Sequence, residues 1–253
     1  MSKQERSFRT NALIIKRRDF GEADRLLTVV TPAHGKIDVI AKGARKPIST
    51  KTGHVELFTK ADMLVHRGRE IDIAAQAVMI EGFQKLREDL QTGAYANYVA
   101  ELMDRFTSDG EEDTSDLFDL LEETFVQLCG EADQRLVIRY YELKLLDLVG
   151  FRPELQECVL SHEPVQPEDQ YFSSSEGGVV SPQAAKHTSS LMPLSLGTLK
   201  LLRHLQRSPF SLVKTIDVPA HIHSEIERVM LGYVTYLLER RLQSVDFIRR
   251  IRR

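Results

Sequence analysis

Apolar and polar positions alternate in short runs over the first 80 residues. The runs fall at 12–18, 25–31, 36–42, 55–66 and 71–80, and each is rich in Val, Ile and Leu. Turn residues separate them: Asp19-Phe20-Gly21, Pro32-Ala33-His34-Gly35, a longer loop over 43–53, and Arg67-Gly68-Arg69. That pattern predicts five short strands. No strand alternates with a helix, so a parallel sheet is not expected here. Five strands with one long loop suit a small closed barrel of the OB type.

From about residue 84 the period lengthens to that of a helix. Tyr95, Tyr98, Val99, Leu102, Met103 and Phe106 predict a helix over 90–106. A second follows over 115–128, with Asp113-Thr114-Ser115-Asp116 as capping chemistry. Residues 134–149 are apolar on nearly every face, as a central bundle helix would be. Gly150 and Pro153 stop it. Residues 155–192 lose periodicity, and helices resume over 195–206 and 221–242. The expected fold class is α+β: a five-stranded OB-type barrel over 1–82, then a helical domain over 83–253 with an irregular insert at 155–192.

Composition narrows the class. The 253 residues are 42% hydrophobic and 28% charged, which suits a folded chain. No apolar run approaches a membrane span, and no secretory signal opens the chain, so a cytoplasmic, nucleoid-associated protein with no membrane contact is expected. Two cysteines, Cys129 and Cys158, cannot form a disulfide framework. The net charge of −3 conceals a division. Residues 1–85 carry 16 basic and 10 acidic side chains, 86–170 carry 6 and 21, and 171–253 carry 12 and 6. A basic head suits a polyanion, whereas the acidic middle suits water or a basic partner.

Lys16, Arg17, Arg18, Arg25, Lys36, Lys42, Arg45, Lys46 and Lys51 cluster at strand ends and in the 43–53 loop. Lys16 and Arg18 share a strand face. A loop with glycines and hydroxyls beside such cations suits sequence-blind binding of a phosphate backbone. The competing reading is that these are solubilising residues on strand edges. Phe20, Phe58 and His66 are candidate base-stacking groups, with a core role preferred for Phe58. The arginines of the tail, 249–253, extend the basic track.

Catalytic chemistry finds no support. Ser173-Ser174-Ser175 lacks a nucleophile-elbow context. The acidic stretch 109–116 lacks the register of a calcium loop. No phosphate-binding GxxxxGK[ST] motif occurs. Cys158, His162 and His187 fall short of a four-ligand zinc shell. Catalytic and metal sites are therefore expected to be absent.

Two stretches resemble a known family. Residues 12–36, ALIIKRRDFGEADRLLTVVTPAHGK, with 39–47, VIAKGARKP, and the Glu56-Leu57-Phe58 run, resemble the opening of the bacterial RecO family. Residues 141–153, YELKLLDLVGFRP, followed by Cys158, resemble a second family anchor. The resemblance covers nearly the whole chain. It implies a non-enzymatic recombination mediator with an N-terminal OB domain. Such a protein would bind single- and double-stranded DNA and anneal complementary strands. It would help load RecA onto strands covered by single-strand-binding protein, in the RecF pathway with RecR and with RecF as a further partner.

Many family members also carry two Cys-x-x-Cys pairs that hold zinc. Here those positions read Cys158, Ser161, Ser181 and Ala184. The insert is therefore expected to be a degenerate zinc-finger-like element without zinc or other cofactor. The family further docks the acidic, apolar-ended tail of single-strand-binding protein on its helical domain. Arg139 and Leu143, one turn apart, with Lys200 and Arg203 on a later helix, are the candidates for that pocket. Two other readings compete with the mediator: an RNA-binding or translation-associated OB module, and a protein–protein adaptor working through the acidic helical domain.

Overall fold

The computed structural model describes residues 6–46, 52–111, 113–187 and 190–251. Five strands form a closed barrel in the order β1-β2-β3-β5-β4. They are β1 (Ser7–Phe20), β2 (Asp24–Thr31), β3 (Gly35–Ala41), β4 (Lys60–His66) and β5 (Asp72–Glu81). All neighbours are antiparallel except β3 and β5, which meet in parallel at Val39↔Asp72 and Ile40↔Ile73. Alternate residues point inward, so Ala12, Ile14, Leu27, Val29, Val39, Met63 and Val65 fill the interior. Gly35 opens β3 at φ +61, and an added Cβ there would stand 2.2 Å from the Glu111 carbonyl oxygen. Only glycine fits both constraints.

The expected strand over 55–66 begins only at Lys60. Residues 52–54 form a single 3-10 turn, and Phe58 takes a left-handed φ of +63 while burying its ring against Phe125. The backbone there serves β1 rather than extending β4.

The chain divides into two compact units. The first comprises 1–130 with 244–253, and the second 131–243. Position 83, where strand pattern gives way to helix pattern, lies inside the first unit. That unit carries α1 (Lys85–Glu88), α2 (Leu90–Phe106) and α3 (Ser115–Cys129) beside the barrel. Asp89 caps α2 by accepting the Thr92 N–H at 2.7 Å. At the start of α3 the side chain of Thr114 makes no cap bond; its hydroxyl donates to the Thr31 carbonyl at 2.8 Å. The capping expectation is corrected there: Thr114 ties the helix to β2 instead.

The second unit is built on α4 (Gln134–Leu148), capped by Asp133 and buried along most of its length. The irregular insert folds into a small antiparallel sheet in the order β7-β6-β8. Its strands are β6 (Gln170–Ser173), β7 (Gly178–Val180) and β8 (Met192–Leu194). Strands of three or four residues lie below what periodicity can signal. There follow α5 (Leu196–Arg207), α6 (Phe210–Val213) and α7 (Ala220–Leu238). The expected helix over 221–242 ends early, because Glu239 turns left-handed at φ +51. A separate α8 (Gln243–Ile251) succeeds it, where the sequence suggested only a tail.

Candidate nucleic-acid interface

A bulge in β1 builds the site. Between Ile14 and Lys16 the register against β2 shifts. There β1 leaves β4: the Ile14 N–H donates to the Thr59 carbonyl at 3.1 Å, and the Phe58 N–H donates to the Ile14 carbonyl at 2.8 Å. A bulge bends its strand and re-aims the side chains beyond it. Consequently the last five residues of β1, from Lys16 to Phe20, are all exposed. The hairpin turns at Gly21, φ +56. The stretch after β3 folds against this turn, with the Gly43 N–H on the Asp24 carboxylate at 2.7 Å and the Arg45 N–H on the Ala23 carbonyl at 2.9 Å. Arg18, Arg25, Lys42, Arg45 and Lys46 therefore gather at one end of the barrel, among Asp19, Glu22 and Asp24.

These cations are not equivalent. Arg17 and Arg25 share the Glu56 carboxylate, Arg25 at 2.8 Å. Burial, then the nearby Arg25 charge, lowers the Arg17 guanidinium from its ordinary value. Lys16 pairs with Asp104 at 2.5 Å, and Arg45 with Asp19 at 3.4 Å. Arg18, Lys42 and Lys46 make no ion pair with a described residue. A phosphate reaching these three displaces only water and counterions, whereas at Arg17 or Lys16 it competes with a carboxylate. Lys51 lies outside the described residues, as do Arg252 and Arg253 of the tail.

Lys36 is corrected. It is buried, and its ammonium donates to the Asp104 and Thr107 carbonyls at 2.7 and 2.9 Å, with the Asp109 carboxylate 3.2 Å away. It neutralises the C-terminal end of α2, so its charge is already committed inside the protein although it lines the adjoining groove.

Between the barrel wall and α2 runs a groove of about 590 Å³, lined in part by Lys16, Arg17, Arg18, Leu26, Leu57 and Asn97. Asp38, Asp104 and Asp109 also line it, so its charge is mixed. Phe20 is 41% exposed at the hairpin tip and offers a free ring. His66 is exposed and Phe58 is core.

The expected peptide pocket in the second unit is not assembled by its four residues. Leu143 is fully buried, and Arg139 is buried in an ion pair with the buried Glu142 at 3.1 Å. Arg203 donates from Nε to the Leu155 carbonyl at 2.8 Å, and burial lowers its pKa. Of the four, only Lys200 is exposed. The nearly all-apolar pattern of α4, which signals centrality, also explains why its face is closed.

The four positions that the resemblance assigns to zinc ligands do not fit that metal. Ser161, Ser181 and Ala184 offer hydroxyls and a methyl instead of thiolates. The Ser181 N–H donates to the Cys158 sulfur at 3.3 Å. Burial pushes the Cys158 thiol up, but hydrogen bonds from the Ser161 side chain and the Ser181, Ser161 and Leu160 backbone pull it down to about 6. Among the described residues no three His, Cys, Asp or Glu side chains converge to hold an ion. The His187 side chain lies outside the described residues. Likewise no helix among the described residues is long and apolar enough to cross a membrane.

Glu56 and Asp104 decide which cations are free, and sequence reasoning missed both. They stand 39 residues from Arg17 and 88 from Lys16, so no local signal announces them.

Comparison with known proteins agrees with this architecture. Residues 1–83 match the family model described as Recombination protein O N terminal, and 87–246 match Recombination protein O C terminal. A DNA repair protein RecO of Roseiflexus sp. (strain RS-1) is 37% identical over 249 residues, spanning 98% of this chain and 87% of the relative. Proteins of the same name from Desulforamulus reducens and from Dehalococcoides mccartyi (strain BAV1) are 32% and 34% identical. Those matches span 96% and 97% of this chain, and 94% and 96% of the relatives.

Proposed function

The chain belongs to the RecO family of DNA repair proteins, and from that premise we propose that it is a recombination mediator without catalytic chemistry of its own. It binds single- and double-stranded DNA, anneals complementary strands and helps load RecA onto strands covered by single-strand-binding protein. RecR is its partner in that task, with RecF as a further partner, and the nucleoid is its place of work. It needs no zinc.

The observation that supports this reading is the barrel end where Arg18, Lys42 and Lys46 make no ion pair with a described residue. Two DNA strands repel one another, and each carries condensed counterions. Exposed cations release those ions on binding and reduce the repulsion between strands held on one protein. Phe20 adds a face for base stacking that is indifferent to sequence. Binding is accordingly tolerant of sequence and steep in salt.

The test is a titration of full-length protein into a labelled single strand at several salt concentrations, with Lys42→Glu, Arg45→Glu, Lys46→Glu alongside. Wild type should bind and weaken with salt, and the triple variant should bind at least ~10-fold less tightly with a slope shallower by about 2, at about 0.7 per lost contact. Equal binding by the two proteins would move the contact away from this end. No binding by wild type at low salt would defeat the reading.

A further inference from the structure

We propose that the C-terminal helix α8 is a second nucleic-acid contact, which lengthens the phosphate track that begins at the barrel end. The proposal rests on the reading of the barrel as a DNA-binding module. Four observations carry it: charge, attachment, the division of the helix into two faces, and the pairing state of its arginines.

Residues 240–253 hold six arginines and one carboxylate, Asp246, the densest basic stretch in the chain. Helix α8 from Ser244 onward belongs to the first unit with the barrel, not to the unit that precedes it in sequence. Its first turn is pinned to α2. The Ser244 N–H and hydroxyl donate to one Glu101 carboxylate oxygen at 2.9 and 2.6 Å. Three residues along the same helix, Asp104 holds Lys16 of β1 at 2.5 Å. Positions i and i+3 on a helix are neighbours, about 5–6 Å apart at Cβ. The root of α8 and the exposed end of β1 are thus anchored on adjacent carboxylates of one rigid element.

The helix has two faces. Ser244 is buried, and Val245, Ile248 and Ile251 are half-buried, so this side is committed to packing. Arg249 and Arg250 are exposed on the other side, and neither makes an ion pair with a described residue. Phe247, 40% exposed, stands three residues before Arg250 and on the same side of the helix as it. In the barrel, by contrast, Lys16, Arg17, Arg25 and Lys36 are already paired with carboxylates. The helix therefore supplies cations of the kind that gain most from a phosphate. Their planar, multi-donor guanidinium groups suit phosphate oxygens, and an adjoining aromatic suits an unstacked base. An anionic membrane would also attract arginines, but a surface-lying helix must free its apolar side, and here that side is packed.

The test uses full-length protein and the variant Arg249→Ala, Arg250→Ala, with circular dichroism to verify that helix content is retained. Both are titrated into single strands of ~8 and ~25 nucleotides, lengths bracketing the site sizes of one and of several contact patches. On the longer strand the variant should bind on the order of tenfold more weakly, with a salt slope shallower by about 1.4, at about 0.7 per contact. The deficit should shrink on the short strand, which spans one patch. Equal affinity and slope on the long strand would overturn the inference while leaving the barrel reading intact. Loss of binding to phosphatidylglycerol vesicles with unchanged DNA binding would overturn it in favour of a membrane contact. Failure of wild type to bind either strand would remove the barrel reading, and this inference with it.

Discussion

At the scale of single residues, Cys158 illustrates how backbone and hydroxyl donors set the titration of one thiol. Donors from Ser161, Leu160 and Ser181 point at one sulfur, although its neighbours carry no other thiol. The folded thiol titrates near 6 against an ordinary value of 9. The native state then binds fewer protons than the unfolded state between those values. Stability from this group is complete above about 9 and is lost as pH falls through about 6. Ultraviolet thiolate absorbance in a Cys129→Ser background should rise with a midpoint near 6. A midpoint at the ordinary cysteine value would show that the donors do not act on the sulfur. Denaturation across the same pH range should show stability increasing with pH, and Cys158→Ser should diminish that increase, the remainder at the acid end coming from His223, which burial lowers from its ordinary value.

At the scale of elements, α4 carries the clearest conflict between pattern and chemistry. Its apolar sequence marks it as central, yet Arg139 and Glu142 are buried within it as a pair. Such a pair contributes little net stability, since desolvation offsets attraction, but removing one member leaves the other charge buried without that counter-charge. Arg139→Met should cost about 3–5 kcal/mol, and adding Glu142→Leu should recover most of that loss. Urea denaturation of the two variants measures both numbers, and a double variant as unstable as the single one would refute the account. The same pair explains why reversing Arg139 to Glu cannot report on a peptide pocket: it would place two carboxylates together in the core. The four residues chosen for a docking pocket do not form an open face, for a physical reason. An i, i+4 relation places two residues on one face, but whether that face is open depends on what packs against it.

At the scale of the whole molecule, the charge division along the chain is partly resolved within the fold. Acidic residues beyond position 86 meet basic ones of the head: Asp104 with Lys16 and Lys36, Asp109 with Lys36, and Glu122 with Lys60. Much of the basic head is therefore internal balance, and the cations left over define the interface. Glu56 sets that remainder, because it holds both Arg17 and Arg25. Glu56→Gln should release them and tighten single-strand binding at low salt by a few-fold, at some cost in thermal stability, as a salt-dependent titration beside a melting curve would reveal. Unchanged affinity would mean that neither arginine faces the strand. The sequence by itself determined the barrel, the main helices and the family, since strand and helix periods and the two family-like stretches are local and need no partner to be read. Helix α2 is found over the span its periodicity predicts, Leu90–Phe106. The 3-10 turn before β4, the small sheet in the insert and the separation of α8 from α7 were not legible, because each is too short for a period or depends on one left-handed residue. Above all, only the tertiary structure decided which cations are free. The counter-charges of Arg25, Arg17 and Lys16 lie 31, 39 and 88 residues away, and an ion pair across such a distance exists only once the barrel has closed beside α2.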